Sequence, residues 1–322
     1  METAIYSFLH FLVDFLCAHA MFLRFLSGPE HYAGILIYNF CAFALQMPLG
    51  AAMDLHGGRR RLPAAAAGLG VALTILGSFT HPAVLGLGNA LFHVGGGIGV
   101  IREDHCRNWK GRGLGVFVAP GALGLFLGGQ LSVDITFILA AMMLLLTVPL
   151  FRVPRGDLVL WERPRKQNAL IPLLCCFLVV ILRSYVGLAV VFPWKTGFGM
   201  GLAAVCAVVL GKVAGGFSAV RFGTRNTVFA SLALAAICYL FCDQPFFGIL
   251  ALFFFNMTMP VTLYELALRF PELPGFCFGL LTFGLFLGFL PVALGWNLPV
   301  GGVLGSVLSL GLLLPVVWRE PK

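Results

Sequence analysis

The chain has 322 residues, of which 60% are hydrophobic and only 11% charged, with a net charge of +8 and a mean hydropathy of +0.97. A soluble domain carries roughly 25% charged residues, so a globule surrounded by water is excluded. Apolar stretches of about 20 residues recur along the whole length, whereas the strands of a β-barrel would be segments of about 10 residues with alternating polarity, so a helical polytopic membrane protein is expected.

Hydropathy and breakers predict twelve spans, at 4–26, 31–53, 62–80, 82–101, 112–131, 133–151, 169–192, 198–219, 226–242, 245–266, 275–294 and 298–317. The start, METAIYSFLHFLVDFL, lacks a basic n-region and a small-residue cleavage site and reads as the first span. Most connectors are tiny, such as SGPE, THP, DQP and WNLP. The longest, RVPRGDLVLWERPRKQN at 152–168, falls near the middle. The expected organisation is an all-α membrane protein with a six-helix half at 1–151, a cytoplasmic linker at 152–168 and a second six-helix half at 169–322.

Lys and Arg set the orientation. With an even number of spans, one side receives Arg59, Arg60, Arg61, Arg102, Arg107, Lys110, Arg112, Arg152, Arg155, Arg163, Arg165, Lys166, Arg221, Arg225, Arg269, Arg319 and Lys322. The other side receives Arg24 and Lys195, while Arg183 and Lys212 fall inside spans. Seventeen against two places both termini in the cytoplasm. The positive net charge then reflects topology and needs no nucleic acid partner. The nine cysteines lie almost all within spans, so no disulfide framework is expected. Glycine strings such as HVGGG follow no strand, which excludes a nucleotide fingerprint. No nucleophile–base pair or soluble catalytic domain is visible, so neither an enzyme nor a cofactor is expected.

The two halves carry an internal repeat. GAAMDLHGGRRR (50–61) lies over GFSAVRFGTRNT (216–227), with Gly50, Gly57 and Arg59 on Gly216, Gly223 and Arg225, and Asp54 on Val220. Gly111, Gly115 and Gly124 fall on Gly275, Gly279 and Gly288. Parallel repeats of this kind are a common plan of secondary transporters.

GAAMDLHGGRRR resembles the signature of the major facilitator superfamily between spans two and three, at Gly50, Asp54, Gly57, Arg59 and Arg60; Leu55 departs from it. The resemblance implies a cytoplasmic gate. A glycine in span two would permit close contact with span eleven, and the carboxylate would pair with arginines and helix-end N–H groups. HFLVDF (10–15), GNALFHVGGG (88–97) and ILRSYVG (181–187) are similar to the fosmidomycin-resistance branch, although Val94 and Gly95 stand where Pro and Glu are usual.

Ionisable residues at bilayer depth are functional candidates. They concentrate in spans one, four, seven and ten: His10, Asp14 and His19; Asn89 and His93; Arg183 and Tyr185; Asn256, Thr258, Tyr264 and Glu265. That placement suits a central aqueous cavity lined by those four spans. His10 and Asp14 share a helix face, and Cys17 continues it. Three readings stay open: proton coupling at Asp14 with His10 as relay and Arg183 as counter-charge, a structural His10–Asp14 pair, or a transition-metal site of His10, Asp14, Cys17 and His93. Substrate contact is expected from His93, Asn89, Arg183, Tyr185, Asn256, Thr258 and Glu265.

The expected activity is proton-coupled export of a small amphiphilic or anionic organic compound by alternating access. The partners are the substrate, protons and lipid, with a monomer in the bacterial inner membrane. The alternatives are a divalent-metal permease and a non-transporting sensor that keeps the fold.

Overall fold

The computed structural model describes residues 2–26, 31–56, 59, 61–152 and 169–318, and all regular structure among them is helical. Nine helices among the described residues have the length and apolarity to cross a membrane. They are α1 (Glu2–Phe25), α2 (Tyr32–Asp54), α3 (Leu62–Thr80), α4 (Pro82–Cys106), α5 (Arg112–Gln130), α7 (Leu170–Ala189), α8 (Gly197–Phe222), α10 (Pro245–Arg269) and α11 (Pro274–Ala293). The three remaining expected spans fall on apolar helices of 17 residues each: α6 (Thr136–Arg152), α9 (Thr224–Leu240) and α12 (Gly302–Trp318). At 1.5 Å per residue each is about 26 Å long, just under a hydrocarbon core of roughly 30 Å. Nine of the twelve expected spans therefore meet that length and apolarity among the described residues. The 152–168 linker, apart from Arg152, lies outside the described residues.

Three helices are interrupted where the sequence places proline. In α2 the helix breaks at Leu45, three residues before Pro48; in α5 it breaks at Ala119, just before Pro120; and in α10 it breaks at Met257, three residues before Pro260. Proline has no N–H to donate and its ring crowds the preceding turn.

The chain packs as two compact units. The first contains Met1–Arg107, Pro120–Trp161 and Glu272–Phe283; the second contains Asn108–Ala119, Glu162–Pro271 and Gly284–Lys322. Helices α5 and α11 therefore each contribute to both units.

The internal repeat has a physical counterpart in matched glycine contacts. In the first unit a Cβ on Gly50 would lie 2.0 Å from the Gly275 carbonyl oxygen; in the second, a Cβ on Gly216 would lie 2.8 Å from the Gly111 oxygen. A Cβ on Gly279 would lie 2.3 Å from the Gln46 oxygen, as one on Gly115 would lie 3.0 Å from the Lys212 oxygen. A Cβ on Gly124 would lie 2.3 Å from the Phe11 oxygen, and one on Gly288 would lie 2.4 Å from the Ile181 oxygen. Backbones approach so closely only where a side chain is missing, a packing mode that dominates helix association in lipid.

Arg24 is held at the end of α1. It pairs with Asp134 at 2.6 Å, donates to the Ser78 carbonyl at 2.9 Å and lies over the Phe79 ring. The Thr136 amide bonds Asp134 and, together with Arg24, holds its carboxyl below the usual value of 3.8. A carboxylate depressed in the folded state stabilises above its unfolded pKa and loses that contribution as pH falls through the folded one. Asp134→Asn is therefore expected to melt slightly below wild type at pH 7, with the gap closing as pH falls through the lowered carboxyl value. Melting curves of the two proteins over an acid pH series check this. The side chain is half exposed, so the gap is small.

Candidate functional site

Helices α1 and α4 are the most enclosed of the nine, and they carry the densest polar cluster. His10 Nε2 lies 3.1 Å from Asp14 Oδ2, one helical turn away. It also lies 2.8 Å from His93 Nε2, and His93 Nε2 is 3.7 Å from Asp14 Oδ1. Asn89 donates its amide to Asp14 Oδ1 at 2.9 Å and towards the Cys17 sulfur at 3.5 Å. One turn along α4, His93 Nδ1 donates to the Asn89 carbonyl at 2.9 Å. That bond places the proton of a neutral His93 on Nδ1 and leaves Nε2 as an acceptor facing His10.

The cluster depends on a third helix having no side chain. A Cβ on Gly121 of α5 would lie 2.2 Å from His10 Nε2 and 2.4 Å from Asp14 Oδ2. Further along the same contact, Gly124 and Gly128 lie on the Phe11 and Phe15 carbonyl oxygens. The stretch PGALGLFLG thus lets α5 lie directly on the polar face of α1.

Ligand atoms of His10, Asp14 and His93 all lie within 4.8 Å of one another, the arrangement a bound metal ion requires. Cys17, the fourth residue of the expected metal set, is outside this group and is reached through Asn89.

In the second unit Arg183 of α7 is buried. Its Nη1 has no hydrogen-bond partner among the described residues. Neighbouring polar groups have their own partners. Ser184 donates to the Leu285 carbonyl at 2.7 Å. The Tyr185 hydroxyl donates to the Leu298 carbonyl at 2.9 Å and accepts from the Leu298 amide at 2.8 Å. Tyr185, expected to contact substrate, thus has its hydroxyl committed to backbone.

Asn256 and Thr258 occupy the α10 break, bonding the Leu252 and Phe255 carbonyls of their own helix. Glu265 forms a buried ion pair with Arg269 one turn on, and Arg269 also donates to the Val316 carbonyl at 2.8 Å. Sequence reasoning missed this pair and its counterpart, Glu103 with Arg107 at 2.8 Å, where Thr3 adds two bonds of 2.6 Å through its amide and hydroxyl. The signal was present as Glu-x-x-x-Arg at 103–107 and again at 265–269.

Among the residues expected to form a gate, Asp54 accepts from the Gly275 amide at 2.9 Å and the Phe276 amide at 2.7 Å, capping the start of α11 within the first unit. The Gly50–Gly275 contact brings the two backbones together. Arg59 is exposed, while Gly57 and Arg60 lie outside the described residues. Asp54→Asn keeps one acceptor oxygen and turns an NH₂ towards the other amide, at a cost of about 0.5–2 kcal/mol to the capped arrangement. For the gate expected from the sequence, the result is slower turnover of a transported substrate with its equilibrium binding retained. Parallel measurements of binding and turnover check it, and equal loss of both would contradict the assignment.

No protein-family model and no curated protein sequence matches the chain. Solved structures do. The fucose:proton symporter FucP of E. coli, as a single-residue variant, superposes with a TM-score of 0.65 at 14% identity over 100% of both chains. FucP in the outward conformation, described as a major facilitator superfamily transporter, gives 0.65 at 13% over 100% of both. The human organic anion transporter MFSD10 (TETRAN) gives 0.61 at 16% over 98% of both. The chain shares the fold of these solved structures, and at identities of 13–16% the likeness shows the architecture alone.

Proposed function

We propose that this chain is a secondary active transporter that exports a small organic anion in exchange for protons by alternating access. In this reading it has twelve spans in two six-helix halves, with both termini in the cytoplasm. It acts as a monomer in a bacterial inner membrane and is a member of the fosmidomycin-resistance-type branch. The observation that carries the reading is Arg183. A charge at bilayer depth costs about 2.5–3.5 kcal/mol on insertion scales and is tolerated when it meets a counter-charge. Guanidinium cannot lose its proton, so a substrate carboxylate or phosphonate is the natural partner, held bidentately. Asp14 is the proton seat and His10 its relay; the Asp54 cap works as the gate.

Melting of the purified protein in the presence of small carboxylates and phosphonates, each beside its neutral ester or amide, tests this. Anions that bind are expected to stabilise it by about 2.7 kcal/mol at a hundred times their Kd, and their neutral analogues are not. Stabilisation by neutral compounds alone would refute the anionic cargo.

A further inference from the structure

We propose that His10, Asp14 and His93 also form a binding site for one divalent transition-metal ion of the zinc class. Binding at this site is separate from the organic cargo. Three observations on α1, α4 and α5 support it.

The first is the spacing of the ligand atoms. Bonds of about 2.0–2.1 Å in a tetrahedral site set neighbouring ligand atoms about 3.3 Å apart. His10 Nε2 lies 2.8 Å from His93 Nε2 and 3.1 Å from Asp14 Oδ2, while His93 Nε2 lies 3.7 Å from the other carboxylate oxygen, Oδ1. An ion held by one atom of each group would keep its remaining position open, as in sites with three protein ligands. Two imidazoles and one carboxylate suit first-row divalent ions of intermediate softness and not magnesium or calcium.

The second is the outer shell. The other ring nitrogen of His93 is already tied to a backbone carbonyl, and the second carboxylate oxygen of Asp14 is tied to the Asn89 amide. These contacts orient ligands at metal centres. They also fix Asn89, since turning its amide over would set an oxygen against the carboxylate. In the present orientation Asn89 Oδ1 is buried and has no hydrogen-bond partner among the described residues. Such an atom is satisfied by a water bound to the ion, or by the ion itself.

The third is the Gly121 contact. A Cβ on Gly121 would lie 2.2 Å from His10 Nε2 and 2.4 Å from Asp14 Oδ2, so a side chain at that position would collide with two of the ligand atoms. Cys17 lies outside the ligand group, so the site is nitrogen and oxygen only. Protons held by the three groups leave as the ion enters, so metal binding releases protons.

Titrating metal-free protein in detergent with Co²⁺, followed by visible absorption, and with Zn²⁺ in competition tests the site. The expected result is one ion per chain, with no sulfur-to-cobalt charge-transfer band. His10→Ala and His93→Ala each abolish it, Asn89→Leu weakens it about 10–100-fold, and Cys17→Ser leaves it intact. Elution profiles and melting curves confirm that the variants are folded. Failure of the wild-type protein to bind either ion at about 100 µM would overturn the proposal, as would binding that survives both histidine variants or needs Cys17. None of these outcomes touches the transport reading, which is measured with chelator present.

Discussion

Replacing Arg183 with methionine is expected to raise the melting temperature of the substrate-free protein and, at the same time, to remove its affinity for the anion proposed as its cargo. Methionine preserves much of the side-chain length and fills the same buried space. A buried guanidinium with an unbonded Nη1 is a standing cost. Replacing buried charge with apolar atoms of similar volume is often stabilising, by about 1–4 kcal/mol. In the complex the same charge is half of a desolvated pair, whose loss costs about 2–5 kcal/mol, or roughly 30-fold or more in Kd. Opposite shifts in stability and affinity mark a residue retained for function. A destabilised Arg183→Met protein would mean that the guanidinium holds the fold together.

Asp14→Asn carries the second large effect. The substitution is nearly isosteric and keeps an oxygen to accept from Asn89, now bonded at 2.9 Å. What it removes is the carboxylate's ability to take up and release a proton beside His10 and His93. Uphill accumulation driven by a pH gradient is expected to disappear. Exchange of labelled for unlabelled substrate is expected to persist and to become insensitive to pH. Wild-type accumulation in this variant would move the coupling proton to another carboxylate.

The helices were legible because apolar runs and their Gly, Pro and charged breakers are local features; α3 begins and ends at the residues hydropathy suggested. Helix starts were less legible because backbone geometry sets them: α9 begins at Thr224, directly after the positive φ of Gly223 and two residues before the apolar run at 226. His10 and Asp14 were readable as one helix face from their spacing. His93 was grouped with them in one of three open readings, and what the sequence left undecided was the packing of α1, α4 and the Gly121 backbone that brings it to His10. Tyr185 looked like a ligand-facing group because sequence does not reveal the Leu298 backbone that occupies its hydroxyl. The Glu265–Arg269 pair was local and repeated, so it was within reach of the sequence.

The central claim is exchange of an organic anion for protons, and proton flux in liposomes measures it most directly. The protein is reconstituted with a pH-sensitive dye trapped inside and chelator present. Those small carboxylates or phosphonates that stabilise the purified protein are then added outside. The account predicts that each binding anion drives a proton flux opposite to its own movement. The flux should be absent with the neutral analogue and lost in Asp14→Asn and Arg183→Met. Uptake of the anion with no proton movement, or an undiminished flux in Asp14→Asn, would contradict it.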